Sequence, residues 1–361
     1  MQGAMRAEVV HMRLFDLGAE VDLARLGSIR GQQPRPAPVE ARSPTPAFST
    51  FSQPLEVAFP APDAPPGARV ELRVHALGVL TVRLRWPCEV ASVAGFPAAA
   101  EAFRAGGLDA AGYARQVAEE VRRDLGQALR DPYKVGLQEE RYLAYCVHAA
   151  PSEVPSLLRR EEAAIAQIVS DAPGQPLVPT RQEAALRHTM QYTPGDAVVV
   201  GWDHAVVLDG PGEYEDVLDV MELANLELLE FRTYDAYLDE RLEEAFDALD
   251  RLWARGGLFR SARSALQEIS RLRVEFARLT DNLHDTGKIF GDWYTAQLHR
   301  RLHERFHLAS WERAVAAKMG TLEDMFHLAQ EETNHRRSLV LEVLVILLFV
   351  LDLVILLQPG R

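Results

Sequence analysis

Lysine is nearly absent. Lys134, Lys288 and Lys318 are the only three among 39 basic residues, so arginine supplies almost all of the positive charge. That imbalance reads as genomic base-composition bias and not as a functional signal. Cysteine is scarce too. Cys88 and Cys146 have no CxxC spacing, which excludes a zinc knuckle and a disulfide framework and fits a reduced cytosolic compartment. There is no excess of positive charge: the net charge of -13 argues against general nucleic-acid binding, which needs a basic face to displace counterions. The start, MQGAMRAEVVHMRLFDLGAE, lacks a basic segment followed by an apolar one, so no secretory signal is expected. The chain has no Walker motif, no GxGxxG after a strand and no GxSxG elbow, and nothing in it requires a cofactor.

What is present is an ordinary folding composition, with 48% hydrophobic and 25% charged residues over 361 positions, enough for two or three domains. Residues 1 to about 30 read as a strand and a short helix. The stretch 31–54 is rich in Pro, Ser and Ala and reads as an extended linker or insertion. From 55 to 210 the pattern is mixed. Val70, Leu72, Val74 and Ala76 alternate with Arg69, Glu71, Arg73 and His75. After a turn at Leu77-Gly78, Leu80, Val82, Leu84 and Trp86 alternate with Thr81, Arg83 and Arg85. Period two with one apolar face predicts an antiparallel hairpin lying on a core. A helix is predicted over 109–130, a strand at ERYLAYCVHA, a helix over 154–170, and a second hairpin turning at Trp202-Asp203. Strands and helices without a regular βαβ repeat predict an α+β domain over 1–210 with an antiparallel or mixed sheet.

After Gly212 the period changes. Val217, Met221, Ala224, Leu228, Phe231, Leu238, Leu242, Ala245, Leu249 and Leu252 follow 3/4 spacing, interrupted by Asp235, and predict a coiled-coil-like helix. RGGLF at 255–259 reads as a turn. A second series from Ala262 to Leu283 loses phase at 284–291 and resumes at Trp293, Leu298, Leu302 and Phe306. A third helix runs on without a breaker into an apolar end, making 211–338 a helical stalk.

That end, 339–357, holds 17 apolar residues and two acids, Glu342 and Asp352. At about 1.5 Å per residue it measures roughly 28 Å, near the bilayer core thickness of about 30 Å, and the apolar contribution outweighs the acids on an insertion scale. The expectation is therefore a single C-terminal transmembrane helix and a membrane localisation with the bulk of the chain cytoplasmic. Arg336 and Arg337 would flank the span on that side. Glu342, Val345, Phe349, Asp352 and Leu356 share one a/d seam, which predicts contact between helices of a homo-oligomer. If 258–305 were one straight helix of about 72 Å it would outrun the third, so a break at 284–291 is expected. Arg251, Arg255, Arg260 and Arg263 at the turn would suit an anionic membrane surface or an ordinary solvated corner.

Candidate chemistry is thin. His299, His303 and His307 lie four apart, the spacing of an HxxxH metal pair, but no glutamate takes a general-base position, and histidines packed between helices explain them better. His284-Asp285 with Asp281 reads as a polar break in a coiled coil, and Trp202-Asp203-His204 as turn chemistry.

Asn334, Arg336, Arg337, Leu341 and Glu342 form a neck leading into the apolar end. In this arrangement the chain resembles the YagE-type family, related to proteins required for meiotic nuclear division. The resemblance implies a membrane-anchored, oligomeric protein without established catalysis, whose mitochondrial relatives are linked to organellar translation. Asp352 departs from that pattern. The expected function is an oligomeric scaffold, not an enzyme, that presents the α+β domain to a cytosolic protein partner. The alternative is an ion-transport assembly similar to CorA-type magnesium channels, with Asp352 lining a pore. Against it, the Gly-Met-Asn signature of that family is missing, and KMG at 318–320 does not replace it.

Overall fold

The computed structural model describes residues 4–37, 53–132, 138–255 and 293–357, together with Val274 and Ala277. The chain divides into two compact units, residues 1–233 with 281–311, and residues 234–280 with 312–361.

The first unit is α+β, and both predicted hairpins form in it. β5 (Arg69–Val74) and β6 (Val79–Val90) pair antiparallel, with Val74 opposite Leu80. β10 (Ala197–Val200) and β11 (His204–Asp209) do the same across the Trp202-Asp203 turn. They join one nine-stranded mixed sheet of order β3-β4-β5-β6-β1-β8-β11-β10-β9. Its remaining strands are β1 (Met5–Asp16), β3 (Arg35–Pro36), β4 (Leu55–Pro60), β8 (Gln138–His148) and β9 (Thr189–Met190). β8 and β11 run parallel. The other neighbours are antiparallel. β2 (Gly18–Val21) and β7 (Leu129–Pro132) form a separate small ladder. The edge pairing of Arg35-Pro36 with Leu55-Glu56 brackets the predicted linker, of which 38–52 lies outside the described residues.

One face of the sheet is apolar, as the alternation predicts. It packs against α1 (Phe96–Glu101), α2 (Ala110–Leu125), α3 (Val154–Arg160), α4 (Glu162–Val169) and α5 (Pro179–Leu186). Aromatic rings fill this layer: Trp86 meets Phe103 at 4.9 Å between centroids, and Phe96 stacks on Tyr145 at 4.8 Å. The predicted helix over 109–130 stops at Leu125, because Gly126 takes a positive φ of 46° and the chain turns into β7. Asp109 caps its start, accepting from the Gly112 amide at 2.7 Å.

The opposite face is covered by the first turns of α6 (Glu215–Arg255) and by α7 (Trp293–Arg305). Phe306, just after α7, sits edge-on to Tyr142 of β8 at 5.8 Å and to Trp202 at 5.8 Å. His307 then takes a left-handed φ of 53°, and α8 (Leu308–Leu357) begins.

In the second unit, Lys318 of α8 pairs with Asp235 and Asp239 of α6 at 2.7 and 2.6 Å. Asp235 is the acid that interrupts the apolar series. A polar pair at such a position fixes helix register at some cost in stability. The RGGLF turn, the Ala262–Leu283 series and the expected break at 284–291 with His284 and Asp285 lie outside the described residues, apart from Val274 and Ala277. So do Arg260 and Arg263 and the side chains of Arg251, Arg255, Arg336, Arg337, Asp352 and Leu356.

One expectation is corrected. α8 is a continuous helix, but among the described residues no helix is long and apolar enough to cross a membrane. The single transmembrane helix over 339–357, the tail anchor, the membrane partner and the single-pass membrane localisation are therefore not supported. The flanking role of Arg336 and Arg337 lapses with the span.

Candidate functional site

The polar face of the β5–β6 hairpin is not solvated. Arg73, Arg83 and Arg85 project from it and are buried, with Arg83 at 0% exposure. Glu215, Asp219 and Glu222 answer them from α6, at spacings of four and three that place all three carboxylates on one helical stripe. Arg85 grips Glu215 with two guanidinium nitrogens, at 2.9 and 2.6 Å. Arg73 donates to Asp219 at 2.5 Å and to Glu56 at 2.7 Å. Arg83 donates to Asp219 at 2.7 Å and also pairs with Glu222. His75, in the hairpin turn, meets Glu222 at 2.8 Å and Thr81 at 3.1 Å.

A second chain of hydrogen bonds enters from β8. The Tyr214 hydroxyl donates to Glu8 at 3.0 Å, so His148, 3.1 Å from the same oxygen, must donate to it through Nε2. Glu8 also accepts from Arg85 at 2.6 Å, which joins this relay to the network. A cleft of about 520 Å³ opens beside it, lined among others by Glu56, Arg69, Glu71, Arg73, Glu213 and Asp216.

Burial opposes ionisation of Glu222, yet Arg83, Arg73 and His75 hold its carboxyl well below the usual range. Glu215, also opposed by burial, is lowered by Arg85. Both acids therefore stabilise the docked helix above the unfolded carboxylate pKa of about 4.3, and that stabilisation is lost as pH falls through their lower folded values. Acidification below about pH 4 is expected to release residues 215–222 from the sheet, seen as loss of amide protection there by hydrogen exchange.

On the apolar side a smaller polar group interrupts the core. Arg13 Nε donates to His11 Nε2 at 3.3 Å, and Arg13 pairs with Glu139 at 2.9 Å. Burial, then the Arg13 charge, pushes His11 down to about 3, so it is a neutral acceptor. Burial pushes the Cys88 thiol up to about 11 and holds the Cys146 thiol well above its usual range, so neither is set up as a nucleophile.

Of the residues singled out from sequence, His299 is half-buried and meets Glu227 of α6 at 3.0 Å, while its ring lies 6.3 Å from that of His303. His307 lies in the bend before α8, its ring 6.0 Å from Trp202. The three histidines do not converge. Among the described residues no group of three or more His, Cys, Asp or Glu side chains could hold a metal ion. Asp203 pairs with Arg141 at 2.9 Å, and His204 stacks on Tyr145 at 6.0 Å, so this turn is tied into the sheet. In the proposed seam, Glu342, Val345 and Phe349 are exposed.

The network itself was missed because its halves lie in different periods. The arginines occupy the polar positions of a strand, while the acids sit beside an apolar heptad series. The available signal was three acids on one stripe of the first two turns of a helix, following three arginines at alternating strand positions.

Comparison with known proteins corrects the YagE-type resemblance, which is not indicated. The chain is 24% identical over 170 residues to "Uncharacterized protein MJ0711" of Methanocaldococcus jannaschii, covering 47% of this chain and 52% of that relative. The chain thus spans about half the length of the curated relative it matches. No solved structure matches. The family described as "Uncharacterized protein MJ0711, N-terminal domain" matches residues 6–215, which hold the nine-stranded sheet except Met5 and every arginine of the network but stop short of Asp219 and Glu222. With more than half of its length matched, the chain belongs to the MJ0711 N-terminal domain family.

Proposed function

We propose that this protein is a non-catalytic scaffold that assembles with further copies of itself through α8 and so presents several α+β domains to a protein partner. The observation behind this reading is the surface of α8. Nine apolar residues between Leu341 and Val350 are each at least 50% exposed, with Phe349 at 72%. A helix apolar on every side is unfavourable in water, and a contiguous patch of this kind marks an interaction site. The occupant is a second copy, because Glu342, Val345 and Phe349 fall on a single a/d seam of the kind that self-associating helices share. The ion-pair network fits the same reading. It clamps the first turns of α6 to the sheet in one register, which keeps the presented domain in a single form.

The test is native mass measurement of the full chain beside Val345→Glu/Phe349→Glu. The wild type should be a discrete multiple of the chain mass, and the variant a single chain with unchanged circular dichroism. A monomeric wild type, or a monomer that binds lipid vesicles through this segment, overturns the proposal.

A further inference from the structure

Two acids on the second face stand apart from the arginine network. Asp16, the last residue of β1, is 2% exposed, and Glu230 of α6 is 3% exposed. Both carboxylate oxygens of Asp16 and Oε1 of Glu230 are buried without a hydrogen-bond partner. Thr233, 8% exposed, has a buried hydroxyl without a partner too. That hydroxyl and the Gly18 amide lie near enough to Asp16 to favour its ionised form slightly, though neither makes a hydrogen bond of good geometry.

The surroundings offer no compensating charge. From β6, Val79 lies opposite Asp16, with Thr81 beyond it, and from β8 the neutral Gln138 does. Further along β8, Glu140 is engaged by Arg232. In the β5–β6 turn, His75 is engaged by Glu222, as is Arg83 of β6. From α6, Glu230 and Thr233 act at this place. Among the described residues no cation forms an ion pair with either acid.

Two bare carboxylates here would lose their hydration and repel each other in a medium of low dielectric. Something must neutralise them, and the groups at hand leave protons. We propose that Asp16 and Glu230 form a shared-proton latch between the end of β1 and α6, closed while the pair is protonated and released as pH rises. Its place in the fold gives it leverage. Three residues beyond Glu230, at Thr233, the first compact unit ends, so the latch fastens the last turn of α6 that belongs to that unit.

The electrostatics agree in direction. Burial lifts Asp16 to about 7, and burial followed by the Asp16 charge lifts Glu230 well above the usual range. Groups raised in the folded state bind more protons there than in the open chain, so docking weakens as pH climbs. This is the opposite sign to Glu215 and Glu222 at the other end of the same docked segment. Residues 215–233 are thus held by ion pairs that fail in acid and by a carboxyl pair that fails in base. Self-association through α8 plays no part in the latch.

Hydrogen exchange of residues 226–233 in the full chain, between pH 6 and 8.5 and corrected for intrinsic base catalysis, tests it. In the wild type the opening equilibrium should rise by about tenfold per pH unit for each proton released. Asp16→Asn/Glu230→Gln should flatten that dependence, and Glu230→Gln alone, which offers Asp16 an amide donor, should reduce it. Infrared spectra at pH 6 should show a protonated carboxyl band in the wild type that the double variant lacks. A slope unchanged in the double variant, or no such band in the wild type, overturns the latch. Loss of protection at pH 6 on adding EDTA also overturns it, since a bound cation would then be the neutralising group.

Discussion

Arg83→Met is expected to destabilise the first unit by about 3–5 kcal/mol, read as a fall in the urea midpoint without a large change in slope. Arg83 is fully buried and lies between Asp219 and Glu222. Removing it leaves the almost fully buried Glu222 with only Arg73, at 3.3 Å, and His75. A buried ion pair adds little net stability against an apolar replacement, but breaking one from a single side strands a charge. Arg83→Met/Glu222→Leu should therefore be markedly more stable than Arg83→Met alone. Arg73 keeps Asp219 and Glu56 in that double variant, and His75 keeps Thr81. The buried Nε and Nη1 of Arg83 have no hydrogen-bond partner, which lowers what the wild-type pairing contributes. If the double variant were as unstable as the sum of the two singles, the network would not be a coupled unit.

Gly78→Ala is expected to cost about 4 kcal/mol or more and to reduce the yield of folded protein. Two effects coincide at this hairpin turn. Gly78 has φ of 87°, which an L side chain adopts only under strain, and an added Cβ would lie 1.7 Å from the Gly18 carbonyl oxygen. The obstacle is backbone, and it is held in place. Leu17 donates to the Gly78 carbonyl at 3.0 Å, and Gly18 begins the β2–β7 ladder. Gly106→Ala separates the two effects, since Gly106 has φ of 58° but nothing within 4 Å of an added Cβ. That substitution should cost only about 1 kcal/mol, the strain alone. Thermal unfolding of the two variants side by side reads the difference.

The two expectations differ in how readily the sequence discloses them. Leu77-Gly78 is visible as a turn because the alternating pattern inverts there, and a hairpin brings together residues only a few positions apart. What that glycine touches is not visible, because Gly18 belongs to another strand 60 positions earlier. The resemblance to the YagE-type family rested on a short neck and an apolar run, compositions that unrelated helices reach by chance. Over residues 6–215 the chain matches a different family.

By itself the sequence determined both hairpins, the apolar face of the sheet, the helical character of residues 215–255 and 308–357 and the interruption at Asp235. Each of these is written in the spacing of neighbouring residues, and period two or 3.6 reports which side of an element faces a core. Only the tertiary structure decided that the second face of the sheet is covered as well. Arg83 meets Asp219 across 136 positions, and Glu230 feels the charge of Asp16, more than 200 positions earlier. Periodicity assigns a charged residue to a polar face, but it does not say whether water or another element lies against that face. Lys318 shows the same limit. Asp235 reads as a flaw in a heptad series until the lysine 83 positions away closes the pair.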